Sequence, residues 1–111
     1  MPELRSLAAN SPTRRSHWRA LGLSEADMLK PKIAVVNSSS ELAVCFAHLD
    51  GVAKVVKDAI RAAGGVPFEV RTTAPSDFIT GAAKMGSYIL AARDVVTHDI
   101  VEPMNWCSGN V

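Results

Sequence analysis

The chain has 111 residues, 48% hydrophobic and 21% charged, with 12 Lys+Arg against 11 Asp+Glu for a net charge of +1. That hydrophobic share does not fit intrinsic disorder, and near-zero charge lacks the electrostatic footprint of a protein that grips nucleic-acid phosphates. Two cysteines are too few for a disulfide scaffold, and no apolar run approaches the roughly 20 residues that span a bilayer.

In chain order, Glu3 and the lack of an early apolar run argue against a secretory signal. Arg5, Arg14, Arg15 and Arg19 among serines faintly resemble a transit peptide, but a short helix accounts for them better. Ser11-Pro12 opens that helix, Trp18 and Leu21 lie along it, and Gly22 stops it. Ser24 with Asp27 then caps a single turn before Lys30-Pro31, so residues 1–30 read as a helical lead-in.

Ile33-Ala34-Val35-Val36 is apolar on both faces and β-branched, the pattern of a buried parallel strand. Leu49, Val52, Ala53, Val56, Ile60 and Ala63 recur at helical spacing, with Lys54, Lys57, Asp58 and Arg61 on the other face. They predict a helix from about Ala47 to Ala63, ended by Gly64-Gly65. Val66, Phe68 and Val70 alternate with Pro67, Glu69 and Arg71 as a second strand. A last helix is expected from about Ser87 to Glu102, burying Ile89, Ala92, Val96 and Ile100, with Pro103 as its stop.

Strand, helix, strand is a βαβ unit, whose crossover is right-handed in about 98% of cases. The fold class is therefore α/β: a βαβ unit of parallel strands with flanking helices. Residues 31–102 hold this unit and 103–111 form a divergent tail. The loops Asn37 to Phe46 and Thr72 to Gly86 both leave the carboxyl edge of the sheet, where ligands of open α/β sheets bind.

Those loops carry Cys45 and Asp77. Cys45 precedes a helix, where backbone N–H groups favour a thiolate, yet a small buried hydrophobe is the commoner role of such a residue. His48 lies one turn on, but Cys-x-x-His without a second ligand pair is no zinc site. Asp77 after Pro75-Ser76 suits either a turn cap or a hard cation.

Lys30 to Leu49, with Asn37-Ser38, Ser40-Glu41, Cys45 and His48-Leu49, resembles the opening of the dihydroxy-acid dehydratase and sugar-acid (phosphogluconate) dehydratase family. There a strand ending in Asn-Ser leads through Ser/Thr-Glu to Pro-Cys-Asn-x-His/Ser-Leu. The likeness continues through Val56-Lys57, Ile60, the string Ala62 to Glu69, Thr72-Thr73, Ser76-Asp77, Tyr88, Leu90, Arg93-Asp94, Asp99-Ile100 and Glu102, covering roughly residues 14–102. Val44 stands in place of the motif's proline, Phe46 in place of its small amide, and Phe78 in place of the glycine after the acidic residue.

The resemblance implies a cytoplasmic hydro-lyase that converts 2,3-dihydroxy acids or aldonic acids to 2-keto acids, with an iron–sulfur cluster and Mg²⁺. It places Cys45 on a cluster ligand and Asp77 on a magnesium ligand, a soft donor and a hard one. In that chemistry the 3-hydroxyl departs toward a Lewis-acidic iron while a proton leaves C2. The family's Cys-Asp-Lys segment, with further cluster and magnesium ligands, has no counterpart in these 111 residues, nor has the β-rich domain with its presumed catalytic serine. Cys107 matches neither and reads as an unrelated tail cysteine, and no catalytic residue is assigned. The resemblance thus implies an amino-terminal fragment, an incomplete portion of a larger α/β/α domain, that is inactive alone. The alternative is a catalytically dead remnant or small α/β interaction module. The expected partner is a small hydroxy-acid substrate, with no nucleic acid or membrane, and self-association through exposed apolar surface.

Overall fold

The computed structural model describes residues 11–76 and 88–108, with the backbone alone at 88, 89 and 105–108. Helix α1 runs Pro12–Ala20, with proline in its first turn, where the missing N–H costs nothing. Gly22, at φ 87°, ends it: its N–H reaches Arg19 O, and that of Leu23 reaches Trp18 O. Helix α2, Glu25–Leu29, opens on a complete capping box between Ser24 and Asp27. Arg15 and Arg19, one turn apart on α1, both bind Glu25 and tie the two helices together.

Strands β1, Lys32–Asn37, and β2, Val66–Arg71, pair in parallel, with Lys32 opposite Val66 and Asn37 opposite Arg71. Helix α3, Leu49–Ala62, connects them. It ends in a paired-bond glycine motif: Gly64, at φ 88°, donates to Arg61 O and Gly65 to Ile60 O. The crossover thus returns directly to the sheet, where Val66 N–H bonds Pro31 O. The βαβ unit is as the periodicity predicted.

Alternation along the strands gives each face its own cover. On one face, Asn37 and Glu69 bond to Asp50 and Lys57 of α3. On the other, Phe68 meets the Trp18 ring of α1 at 6.4 Å between centroids, and the Lys32 ammonium stands 4.7 Å from the centre of that indole. Lys32 also donates to Asp27 O and Lys30 O, satisfying carbonyls at the end of α2.

Three expectations about burial are corrected. Strand β1 is parallel but not buried: Ile33 and Val36 remain 42% and 43% exposed, because α3 and Trp18 cover only part of a two-stranded sheet. Helix α3 buries Ala53 and half-buries Leu49 and Ile60, whereas Val52, Val56 and Ala63 are exposed. Lys57, expected on the solvent face, is instead half-buried against Glu69.

The last helix, α4, spans Tyr88–Ser108 with Pro103 inside it rather than at its end. Proline removes one N–H and crowds the carbonyl four residues back, but its φ is already helical, so the remaining bonds carry the helix past it. The expected apolar face is present at Ala92, Val96 and Ile100, all half-buried, and Pro103 extends it. Ile89, also expected there, has a side chain outside the described set.

Candidate functional site at the carboxyl edge of the sheet

Asn37 and Arg71 are the last register pair, so both strands deliver their following loops to one edge. Thr72 N–H bonds Asn37 O and extends the pairing by one step. Each loop buries a small residue there, Ala43 in the first and Ala74 in the second, and Ser76 is 5% exposed.

The first loop is a chain of tight turns. Leu42 N–H reaches Ser40 Oγ, Phe46 N–H reaches Ala43 O, and Leu49 N–H reaches Phe46 O. Cys45 sits in these turns as an exposed free thiol between exposed Val44 and half-buried Phe46. The helix begins at Leu49 rather than Ala47, so Cys45 lies three residues before the cap, His48. Leu49 and Gly51 N–H are already bonded to the carbonyls of Phe46 and His48, which leaves fewer donors for a ligand than the sequence suggested. His48 is exposed and its side chain makes no cap bond. Asp77 lies outside the described residues, as does the side chain of Cys107. Among the described residues no group of three or more His, Cys, Asp or Glu side chains could hold a metal ion.

Behind the thiol loop stands a polar cluster that the sequence reading did not assemble. Asn37, 4% exposed, donates from Nδ2 to Asp50 Oδ1 at 2.9 Å and to Glu69 Oε1 at 3.0 Å. Its Oδ1 accepts the Ser39 N–H at 2.9 Å. Lys57 Nζ lies 2.5 Å from Glu69 Oε2, and Arg71 bridges Asp50 and Glu69 at 3.0 Å each. Both carboxyls sit below the ordinary carboxylate range. For Asp50 the chief cause is the Asn37 amide, with Arg71 adding to it; for Glu69 it is Lys57, then Asn37. Two signals could have found this cluster. Glu69 and Arg71 are two apart on one strand face, and Asp50 and Lys57 seven apart on one helix face.

An open groove of about 720 Å³ lies near the other end of β2, lined by Leu21, Leu23, Asp27, Arg61, Val66 and Phe68 among others. No residue of the thiol loop lines it. No helix among the described residues is long and apolar enough to cross a membrane.

A family model described as dihydroxy-acid/6-phosphogluconate dehydratase N-terminal matches residues 30–108. Dihydroxy-acid dehydratase of Methanococcoides burtonii is 43% identical over 96 residues, 86% of this chain and 17% of its own length. Dihydroxy-acid dehydratase 1 of Methanosarcina acetivorans is 42% identical over 90 residues, 81% of this chain and 16% of its own. Dihydroxy-acid dehydratase of Ignicoccus hospitalis is likewise 42% identical over 90 residues, 81% of this chain and 16% of its own length. The chain thus spans about a sixth of the length of these curated relatives. A match over 30–108 that takes in both strands, the thiol loop and α4 makes this chain a member of the dihydroxy-acid/6-phosphogluconate dehydratase family, in its N-terminal region.

Proposed function

We propose that the chain is the amino-terminal portion of a cytoplasmic Fe–S/Mg²⁺-dependent hydro-lyase that dehydrates 2,3-dihydroxy acids or aldonic acids to 2-keto acids, and that it is inactive on its own. The observation that carries this reading is the family match, laid over an exposed thiol on a loop at the sheet's ligand-binding edge. In this reading Cys45 is one cluster ligand, residues 31–102 are the βαβ-containing part of the dehydratase N-terminal domain, and Asp77 is one magnesium ligand on the neighbouring loop.

The donor set decides how far the chemistry goes. A biological iron–sulfur cluster is held by about four protein ligands, mostly thiolates. Among the described residues there is one free thiol and no triad of metal-ligating side chains. That set does not fit a whole cluster. What the chain's own residues do is hold a soft donor open to solvent at the mouth of the sheet. One thiol without partner ligands among the described residues is also what the second reading, a catalytically silent α/β module, expects.

The test is anaerobic reconstitution of the chain with iron and sulfide, reading iron and sulfide per chain, visible absorption, and keto-acid formation from a 2,3-dihydroxy acid and an aldonic acid. The expected result is sub-stoichiometric iron and no keto acid. A stoichiometric cluster with turnover would overturn the claim of inactivity. Iron–thiolate absorption that persists unchanged in Cys45→Ser would overturn the role of Cys45. Sequencing of the coding region beyond Val111 separates the two readings, since an in-frame Cys-Asp-Lys segment would exclude the silent module.

A further inference from the structure

We propose that Asn37 is the positioning residue of the thiol loop: its buried side-chain amide clamps the entry and exit of residues 38–48 and so fixes where Cys45 stands. The importance of that loop for chemistry rests on the reading of Cys45 above; the clamp itself rests on geometry alone.

Asn37 is the last residue of β1 and is 4% exposed. All three hydrogen-bonding directions of its side chain that the structure uses are aimed at different pieces of chain. Oδ1 takes the N–H of Ser39, the second residue of the loop. One Nδ2 bond goes to Asp50, in the first turn of α3 and just past the end of the loop. The other goes to Glu69 on β2, itself held by Lys57 and Arg71. The start and the end of the Cys45 loop are therefore fastened to one planar group, and that group is fastened to the sheet. Between the clamped ends the turn bonds of Leu42, Phe46 and Leu49 leave the loop little freedom. A strand-end asparagine with a purely local role would need only the Ser39 bond, a common Asx turn. The Asp50 bond, across 13 positions, is the one that closes the loop.

The donors are what matter, and Asn37→Asp tests them with almost no change of shape. Aspartate keeps the acceptor for Ser39 but loses both donations and sets a third carboxylate beside Asp50 and Glu69. Asp50→Ala removes the exit clamp from the more exposed side, leaving the buried Glu69 and Ser39 bonds in place. Ile60→Val loosens the packing of α3 without touching the clamp.

Hydrogen–deuterium exchange of the full chain reads the result. In Asn37→Asp, residues 39–48 are expected to exchange about tenfold faster or more relative to residues 53–62, the consequence of losing buried hydrogen bonds. Asp50→Ala is expected to give a smaller rise in the same segment, and Ile60→Val to leave the loop-to-helix ratio unchanged. The proposal is overturned if the ratio in Asn37→Asp stays at the wild-type value or matches that of Ile60→Val. If Asn37→Asp does not fold, Asp50→Ala decides, and an unchanged ratio there overturns the proposal. Iron binding by Cys45 is read separately, so the clamp and the thiol's role can fail independently.

Discussion

At the scale of single residues, four carboxyl groups make the stability of the fold depend on pH in the acid range. Glu25, Asp27, Asp50 and Glu69 all lie below the ordinary carboxylate range when folded, held there by Arg19, Lys30, Asn37 and Lys57 respectively. Asp27 is carried furthest, from 3.8 to about 2, by Lys30 and by the cap bonds from Ser24. Between those two values the unfolded chain binds more protons than the folded one, so stability rises with pH there. The stabilisation is complete above the ordinary carboxylate range and is lost as pH falls, for Asp27 from about pH 4 toward about pH 2. Thermal unfolding followed by circular dichroism should show a Tm that drops steeply across that window. Asp27→Asn should flatten part of the drop, and an identical slope in variant and parent would count against the assignment. Gly64 and Gly65 make a second residue-scale case because they fail differently. Alanine at Gly64, at φ 88°, meets no neighbour within 4 Å but must adopt a left-handed backbone, at about 1 kcal/mol. Alanine at Gly65 would stand 3.0 Å from Ile60 Cγ2 and 3.2 Å from Ile33 Cδ1, crowding helix against strand at a cost of about 1–3 kcal/mol. Urea midpoints of the two variants order them, and Gly65→Ala no weaker than the parent would refute the close approach.

At the scale of elements, local chemistry set the boundaries wherever a start or stop signal was unambiguous. The Ser24–Asp27 box and the glycines at 22 and 64 each ended or began a helix where the sequence placed the signal. Helix α3 was legible in position but less so in orientation. Its apolar residues span a wider arc than one sheet face covers, so periodicity could not tell buried Ala53 from exposed Val52. The polar cluster was hidden for a related reason. Lys57 reads as a solvent residue until Glu69 is known to stand opposite it, and that pairing depends on strand register, not on neighbours in sequence. Pro103 reads as a stop in sequence, yet a helix breaker is not always a terminator. In α4 it joins the half-buried face of Ala92, Val96 and Ile100, and the helix runs on to Ser108. Proline in a helix interior costs about 3 kcal/mol relative to alanine. Pro103→Ala should therefore strengthen the far-ultraviolet helical signal and slow amide exchange around residues 99–104. A weaker signal would mean that proline is needed to bend α4 into place.

At the scale of the whole molecule, the balance between core and surface is the controlling fact. Among the described residues the buried apolar set is Met28, Ala43, Ala53, Val66 and Ala74, of which only Met28 is large and fully enclosed. Large apolar side chains stand outside: Leu29 and Leu42 are each 78% exposed and Val44 is 91% exposed. On α3, Val52, Val55 and Val56 form a stripe at spacings of three and four, exposed by 50%, 68% and 42%. Composition alone could not reveal this, because 48% hydrophobic is ordinary whether those residues lie inside or outside. With a net charge of +1, little long-range repulsion keeps two copies apart. The expected outcome is concentration-dependent self-association of the isolated chain, with a second copy covering the α3 stripe. Sedimentation velocity over rising concentration should show the weight-average coefficient climbing, and more steeply in sulfate, which strengthens apolar burial. Val52→Lys with Val55→Lys puts charge on the two most exposed positions of the stripe, leaving Val56 in place, and it should restore a monomer. A parent chain that stays monomeric at every concentration, or a double variant that associates as strongly, would show that the uncovered valines are not what draws copies together.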